Sequence, residues 1–149
     1  MGGLIEQLGE RVYLDANFFI YALEAVEPWV RVARRVLAAL DEGACSGVTS
    51  ELSLAECLVK PLELGQADVA QTYQAFLQER PFLSVVPITR ELLAEAARLR
   101  AISRIKLPDA IHAATALQRG CASFLTNDGR LTIPGIKVLG WDDLSKEPT

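Results

Sequence analysis

The stretch that decides the fold is VYLDANFFIYAL, residues 12–23. Its first three residues form a short, continuous apolar run, which is typical of a buried strand, and residues 18–23 are interpreted as a helix. Asp15 stands between the two, directly after the strand. An ionised carboxylate is costly to bury unless a partner compensates its charge. Asp15 therefore calls for an explanation, either from function or from the turn between the two elements.

The alternation of strand and helix continues along the chain. Strand-like runs occupy residues 11–14, 44–48, 82–86, 122–125 and 136–139, and helical segments occupy residues 18–23, 28–42, 50–60, 66–78, 90–102 and 108–119. Several strands are short and wholly apolar, as in a sheet that is covered on both faces. The order predicts a largely parallel sheet in an α/β sandwich. We expect one domain over residues 1–149, with its core at about 11–144 and loose ends at 1–10 and 145–149.

The composition is that of an ordered globular protein. Half of the residues are hydrophobic and 23% are charged, which argues against a disordered chain. No apolar run reaches about 18 residues, so no membrane-spanning helix is expected. Cys45, Cys57 and Cys121 lack the CxxC spacing, so we expect neither a disulfide framework nor a zinc site. Since residues 1–7 show no secretory leader, a cytoplasmic location is expected.

The overall charge is acidic, but its distribution is uneven. A net charge of −4 and a pI near 5.0 disfavour a nucleic-acid partner when taken alone. Residues 90–106 nevertheless carry a local charge of +3, from Arg90, Arg98, Arg100, Arg104 and Lys106 against Glu91 and Glu95. This segment fits either a solvated helix face or a rim that contacts phosphates.

Four acidic residues stand where a fold would not choose to bury a charge: Asp15, Glu56, Asp109 and Asp128. Asp15 and Asp128 each follow a predicted strand, and ligands of open α/β sheets bind beyond the carboxyl ends of the strands. If the fold gathers the four carboxylates, a hard divalent cation such as Mg²⁺, which prefers oxygen ligands, would compensate their charge. The pattern predicts a metal-dependent hydrolase of phosphodiesters.

Three of these acids also have structural explanations. Asp15 could belong to a turn or cap a helix, since aspartate is common where a strand passes into a helix. Asp109 follows Pro108 at a predicted helix start, where the helix dipole favours a negative charge. Asp128 lies in TNDG, residues 126–129, which is a good turn sequence. Both interpretations stay open for each acid.

Glu56 depends on where its helix begins. If Ser53 were the N-cap, Glu56 would complete a capping box with it. If Ser50 were the N-cap, Glu56 would lie well inside the helix, on the same face as Leu52 and Val59. A carboxylate within such an apolar stripe favours a functional role.

Four blocks of the chain resemble the PIN-domain nucleases, and most closely the small VapC-like toxins of that family. The blocks are LDANFFIY at residues 14–21, TS at 49–50 followed by Glu56, LPDAIHAA at 107–114 and LTND at 125–128. Each block is weak alone, but the four occur in the order and at separations like those of the family, over residues 11–144. The resemblance implies a three-layer α/β/α sandwich with a short, mainly parallel central sheet.

The resemblance also implies an activity and partners. Asp15, Glu56, Asp109 and Asp128 match the acidic quartet of the family, whose fourth acid varies most, as catalytic residues and ligands of Mg²⁺, with Mn²⁺ as a substitute. The implied enzyme is an endoribonuclease that forms a homodimer and is blocked by an antitoxin protein, as in type II toxin–antitoxin pairs. Our hypothesis is that Asp15 and Asp109 hold a first cation and that hydrolysis leaves a 5′-phosphate and a 3′-hydroxyl.

Four polar residues near these acids are candidates for contacts with RNA. Asn17 could contact substrate or orient the first acid, or it could cap a helix. Thr126 and Asn127 could hydrogen-bond a phosphate or a metal-bound water, although a turn role fits equally well. His112 lies one helical turn after Asp109 and so shares its face. A lone helical histidine is more often structural than a substrate contact.

Other classes of protein stay open on the sequence. A phosphoacceptor signalling domain needs adjacent acids after its first strand, where only Asp15 stands, and a lysine after a late strand, whereas Lys137 falls inside one. A haloacid-dehalogenase-type phosphatase needs an aspartate where Asn17 stands. A PIN nuclease that processes RNA without an antitoxin, or a PIN module that binds RNA without cutting it, fits the same four blocks.

Overall fold

Five short apolar runs pair into one parallel sheet. The computed structural model describes residues 3–128 and 130–145. Its strands are β1 (Arg11–Leu14), β2 (Ser46–Ser50), β3 (Leu83–Val86), β4 (Ser123–Thr126) and β5 (Lys137–Gly140). Their order across the sheet is β3-β2-β1-β4-β5, and every neighbouring pair is parallel. The prediction of a largely parallel sheet is confirmed.

Helices connect the strands, as parallel pairing requires. The helices in the described ranges are α1 (Leu4–Leu8), α2 (Ala16–Leu23), α3 (Val30–Asp41), α4 (Glu51–Glu63), α5 (Ala67–Phe76), α6 (Arg90–Ser103), α7 (Leu107–Gln118) and α8 (Trp141–Ser145). Six of them correspond to helical segments expected from the sequence, and α1 and α8 were not expected. None of the described helices is long and apolar enough to cross a membrane.

Both faces of the sheet are covered by helices. Side chains alternate along a strand, so Val12 and Leu14 enter one core cluster, with residues of α2 and α3 such as Phe18. Tyr13 points to the other face, where it enters a second cluster with Ala113 of α7. All three strand residues are fully buried. The architecture is therefore the three-layer α/β/α sandwich that the sequence led us to expect.

The second strand begins later than its apolar run predicts. The backbone N–H of Ala44 bonds to the carbonyl of Ala39 and so closes the end of α3. The strand starts at Ser46 and continues through two polar residues, Thr49 and Ser50. The hydroxyl of Thr49 donates to the Leu14 carbonyl at 2.6 Å. Because this buried hydroxyl has a partner within the sheet, a polar residue is tolerated there.

The expectation of a loose amino-terminal end over residues 1–10 is wrong for most of the residues described there. Leu8 of α1 is fully buried, and its carbonyl accepts a hydrogen bond of 2.6 Å from the Ser123 hydroxyl. Trp141 and Leu144 of α8 are each 2% exposed, in agreement with a core that extends to about residue 144. Short helices held by tertiary packing carry no long periodic signal in the sequence, and for this reason they were missed. Residues 1, 2 and 146–149 lie outside the described ranges.

Candidate active site

The strand order creates one switch point. From β1 the chain proceeds through β2 and β3 on one side of the sheet, and it then returns to place β4 and β5 on the other side. Leu14 of β1 pairs with Leu125 of β4, so Asp15 and Thr126 follow at the same level of the carboxyl edge. In open α/β sheets a crevice forms at such a point and binds ligands.

Asp15 occupies the junction between β1 and α2. It is the N-cap of α2, and its Oδ1 accepts a hydrogen bond of 3.1 Å from the backbone N–H of Asn17. Burial raises the pKa of Asp15 to about 6, with a smaller contribution from the charge of Glu56. His112 and the backbone N–H groups of Asn17 and Phe18 lower the pKa of Asp15 by smaller amounts than burial raises it. Asp15 therefore caps the helix, but nearby positive charge does not fully compensate its burial.

Glu56 lies inside α4 and does not take part in a capping box. The helix begins at Glu51, and Ser50 caps it by accepting a hydrogen bond of 3.0 Å from the backbone N–H of Leu52. The Ser53 hydroxyl bonds instead to Thr49 at 2.7 Å. Glu56 Oε1 lies 2.7 Å from His112 Nε2, and the Glu56 side chain is 36% exposed. The structure thus favours the interior position that the sequence had left open.

His112 connects Glu56 to the interior of the sheet. Its side chain is buried, and its Nδ1 lies 2.5 Å from the hydroxyl of Tyr13. Burial, followed by the charge of Asp15, raises the pKa of Tyr13 well above its usual range, so this hydroxyl keeps its proton. Both ring nitrogens of His112 are therefore bonded to protein groups.

Asp109 is the third residue of α7, in the first turn of that helix. It is half-buried, and it precedes His112 by three residues, so the two share one face of the helix. Because His112 contacts Glu56, this face of α7 is turned towards α4. The position satisfies the helix-start explanation, and the functional role of Asp109 stays a prediction.

Asp128 lies in a solvent-exposed turn. Its Oδ1 accepts a hydrogen bond of 3.0 Å from the backbone N–H of Arg130, and its own backbone N–H donates to Thr126 Oγ1 at 3.1 Å. The pKa of Asp128 is lowered, chiefly by the bond from the Arg130 backbone, and also by the charges of Arg130 and Lys106. Asp128 therefore has the turn role that the sequence left open.

The candidate substrate residues occupy different environments. Asn17 is half-buried in the first turn of α2, next to Asp15. Thr126 is 6% exposed, at the end of β4. Asn127 is exposed at the switch point, and its Nδ2 donates to the hydroxyl of Tyr21. These three, with the buried His112, remain predictions as substrate contacts.

The basic segment at residues 90–106 is partly engaged within the protein. Arg98 pairs with Glu95 at 3.2 Å on the surface of α6, and Arg100 donates to the Ile105 carbonyl at 2.6 Å. Lys106 is exposed at the start of α7, close enough to Asp128 to influence its pKa. Lys106 is therefore a candidate for contact with a phosphate beside Asp128.

Asp15 and Glu56 form the centre of the candidate site. The charges of Asp15 and Glu56 both raise the pKa of Tyr13 and of Cys57. The charge of Glu56 also raises the pKa of Asp15. Within residues 3–128 and 130–145, no group of three or more acidic, histidine or cysteine side chains is arranged to hold a metal ion. The structure thus brings Asp15 and Glu56 close enough for their charges to interact. Asp109 lies on the face of α7 that is turned towards α4, and Asp128 lies in its exposed turn.

The donors at this centre fit a hard divalent cation. The half-buried carboxylate of Asp15 is destabilised by burial and by the charge of Glu56, and both groups offer only oxygen ligands, which Mg²⁺ and Mn²⁺ accept. A cation bound there would supply the missing positive charge. The chemistry of the residues is compatible with the metal that the family resemblance implies.

Sequence reasoning missed Tyr13, because it stands in an apolar run that predicts only a strand. A signal was available: a buried tyrosine hydroxyl usually requires a hydrogen-bond partner. His112, the only histidine of the chain, was the natural candidate for that partner.

Known proteins resemble the chain in both sequence and fold. A family model described as "PIN domain" matches residues 12–135. No curated protein matches the sequence significantly.

Several solved structures share the fold at low sequence identity. A toxin–antitoxin complex from Klebsiella pneumoniae is 24% identical with a TM-score of 0.61, over 87% of this chain and 95% of that one. VapBC2 from Rickettsia felis, bound to a DNA fragment from its promoter, is 17% identical with a TM-score of 0.67, over 89% and 99%. VapC20 from Mycobacterium tuberculosis, a toxin that cleaves the sarcin–ricin loop, is 18% identical with a TM-score of 0.67, over 80% and 91%.

Proposed function

Because the chain belongs to the PIN domain family, we propose that it is a metal-dependent endoribonuclease and the toxin of a type II toxin–antitoxin pair. The cation is Mg²⁺, for which Mn²⁺ can substitute. The toxin assignment is supported by the shared fold with VapC20, a toxin that cleaves the sarcin–ricin loop, and with a toxin–antitoxin complex. In this proposal residues 1–149 form a single PIN domain.

The observation that carries the proposal is the state of Asp15. Its carboxylate caps α2 at the switch point of the sheet, and burial raises its pKa to about 6. A carboxylate with a raised pKa beside a second one, at the switch point of a sheet, is the arrangement expected where a protein manages charge for catalysis.

The proposed roles follow from the positions of the side chains. Asp15, Glu56 and Asp109 would hold the cation, with Asp128 joining from its turn. When bound, the cation would stabilise the negative charge that develops on the phosphoryl and leaving oxygens. The backbone N–H groups at the start of α2 hold the Asp15 carboxylate in place. Residues beside the acids, Asn17, Thr126, Asn127 and His112, are proposed to contact the RNA or to orient the groups that do.

Partners are part of the same proposal. One solved structure of similar fold is a toxin–antitoxin complex, and we propose a cognate antitoxin for this chain. We also propose that the protein forms a homodimer. Co-expression with the product of an adjacent short reading frame should suppress RNA cleavage if the antitoxin exists, whereas an RNA-processing nuclease would have no such inhibitor.

The test is RNA cleavage by the purified protein in Mg²⁺ or in EDTA. We expect cleavage with Mg²⁺ that leaves a 5′-phosphate and a 3′-hydroxyl, and a loss of at least about 100-fold in Asp15→Asn, because a ligand charge is removed. Asp41→Asn is the matched control. Asp41 is an exposed carboxylate that lines a cleft with Glu10 and Ser46, at the amino-terminal ends of β1 and β2. Cleavage that persists in EDTA or in Asp15→Asn would refute the proposal.

A further inference from the structure

A chain of hydrogen bonds runs from inside the sheet to the acidic site. It consists of the Tyr13 hydroxyl, the His112 ring and the Glu56 carboxylate, and we call it the Tyr13–His112–Glu56 chain. Tyr13 Oη lies 2.5 Å from His112 Nδ1, and His112 Nε2 lies 2.7 Å from Glu56 Oε1. Three elements, β1, α7 and α4, each contribute one member.

The chemistry of the three groups determines the direction of these hydrogen bonds. The Tyr13 hydroxyl is fully buried and can donate one hydrogen bond, whereas an ionised carboxylate can only accept. A neutral imidazole has one donor and one acceptor nitrogen. Tyr13 therefore donates to Nδ1, and Nε2–H donates to Glu56. If His112 were protonated, Nε2–H would still donate to Glu56, so the bond at the carboxylate does not depend on the charge of the ring.

The bond restricts Glu56 more than packing alone would. Glutamate has three side-chain torsions, and this side chain is 36% exposed on a helix surface, where it would otherwise sample several rotamers. The His112 ring cannot follow it, because the ring is 3% exposed and Tyr13 engages its other nitrogen. One oxygen of Glu56 is thereby held, which leaves the second oxygen as the one that a cation could bind.

We propose that Tyr13 and His112 are positioning residues that hold the Glu56 carboxylate in the geometry needed to bind a divalent cation beside Asp15. The inference rests on the proposed metal-dependent function of this site. Tyr13 is fully buried and acts only through His112. Partners that orient a metal-ligating side chain commonly change metal affinity by about 10–100-fold when they are removed.

The simpler alternative is that Tyr13 and His112 merely fill the core. The Tyr13 ring stacks on Phe124, with 4.8 Å between ring centroids, and a phenylalanine would keep that contact. If packing were the whole role, Tyr13→Phe would leave cation binding unchanged. The hydroxyl alone thus separates the two explanations.

The experiment measures Mn²⁺ affinity by calorimetry in wild type and variants. We expect Tyr13→Phe to weaken binding by several-fold to about 10-fold, and His112→Leu to weaken it by about 10–100-fold. His112→Gln should recover part of the loss, because its amide can donate to Glu56 from near the former position of Nε2. Tyr73→Phe is the matched control, since Tyr73 is an equally buried tyrosine that donates to Glu24, a carboxylate outside the proposed site.

A second readout needs no metal. Nitrogen NMR of His112 in the metal-free wild type should show a proton on Nε2, and Tyr13→Phe should change the signal of Nδ1. Tyr13→Phe that binds Mn²⁺ as tightly as wild type, or a ring protonated on Nδ1 alone, would overturn the positioning role. Asp15→Asn separates this outcome from failure of the proposed function: if wild type binds no Mn²⁺, or Asp15→Asn binds it equally well, the metal site itself is refuted.

Discussion

Asp15 carries two roles that conflict at the level of a single residue. As the N-cap of α2 it satisfies the backbone N–H of Asn17, which stabilises the helix start. As a half-buried carboxylate with Glu56 nearby it is destabilised by desolvation and by repulsion. The conflict makes the free energy of unfolding depend on pH in a direction opposite to that of an ordinary salt-bridged aspartate.

The pH dependence can be worked out from the two pKa values. Asp15 titrates at about 6 in the folded protein and near 3.9 in an unfolded chain. Between these values the unfolded state releases a proton that the folded state keeps, so stability falls as the pH rises. Below about pH 4 the titration of Asp15 does not lower the free energy of unfolding. Above about pH 6 it lowers the free energy of unfolding of the metal-free protein by up to about 3 kcal/mol.

We therefore predict that Asp15→Asn stabilises the metal-free protein at pH 7.5 but not at pH 3.5. Asparagine caps a helix as well as aspartate does, so the cap is retained while the charge is lost. Urea unfolding in EDTA at the two pH values measures the difference. An equal effect of the substitution at both pH values would show that the charge of Asp15 is not the cause.

At the scale of elements, the site depends on how helices are joined to the ends of strands. Asp15 and Ser50 each follow or end a strand and cap the next helix with a side-chain oxygen. Thr49 ties β2 to the carbonyl of Leu14 at 2.6 Å, directly before Asp15. The two strand ends that present Asp15 and α4 are therefore bonded to each other, which limits how far Glu56 can move relative to Asp15.

The junction between α1 and β1 requires a glycine. Gly9 has φ 74 and ψ −164, a conformation essentially restricted to glycine, and a Cβ there would lie 2.8 Å from the Cβ of Ala122. We predict that Gly9→Ala lowers the free energy of unfolding by at least about 2 kcal/mol, from backbone strain and overpacking combined. Urea unfolding at pH 7 measures this.

Two further variants separate strain from the clash. Adding Ala122→Gly to Gly9→Ala should recover the part of the loss that comes from the clash. Gly43→Ala should cost only about 1–2 kcal/mol, since Gly43 has φ 78 but a Cβ added there would meet no atom within 4 Å. If Gly9→Ala cost no more than Gly43→Ala, close approach to Ala122 would not matter.

For the whole molecule, a cation at the acidic site should stabilise the folded state by mass action. At a concentration 100 times its Kd, a ligand that binds only the folded state contributes about 2.7 kcal/mol. For a chain of this length this corresponds to a rise in Tm of roughly 5–10 °C. Mn²⁺ should produce such a rise over EDTA in wild type and in Asp41→Asn, but not in Asp15→Asn, as followed by thermal scanning. A similar rise in Asp15→Asn would place the cation elsewhere.

Much of the element pattern could be predicted from the sequence. All five strands lie within about two residues of their apolar runs, and Ser50 was one of the two N-caps that the sequence left open for the helix of Glu56. These features depend on interactions within a few residues of each other, such as caps and continuous apolar runs. The quartet of acids was also selected from the sequence, and the structure gathers Asp15 and Glu56 from it.

Other features were decided only by the tertiary structure. The order β3-β2-β1-β4-β5 places β1 at the centre, and the hydrogen bonds of His112 join residues 99 and 56 positions apart. Leu8 is fully buried although its helix has only five residues. No local propensity encodes such contacts, because their free energy is gained only when distant segments already lie side by side. The acidic candidates could be identified from the sequence, whereas the packing of β1, α4 and α7 determined which of them lie close together.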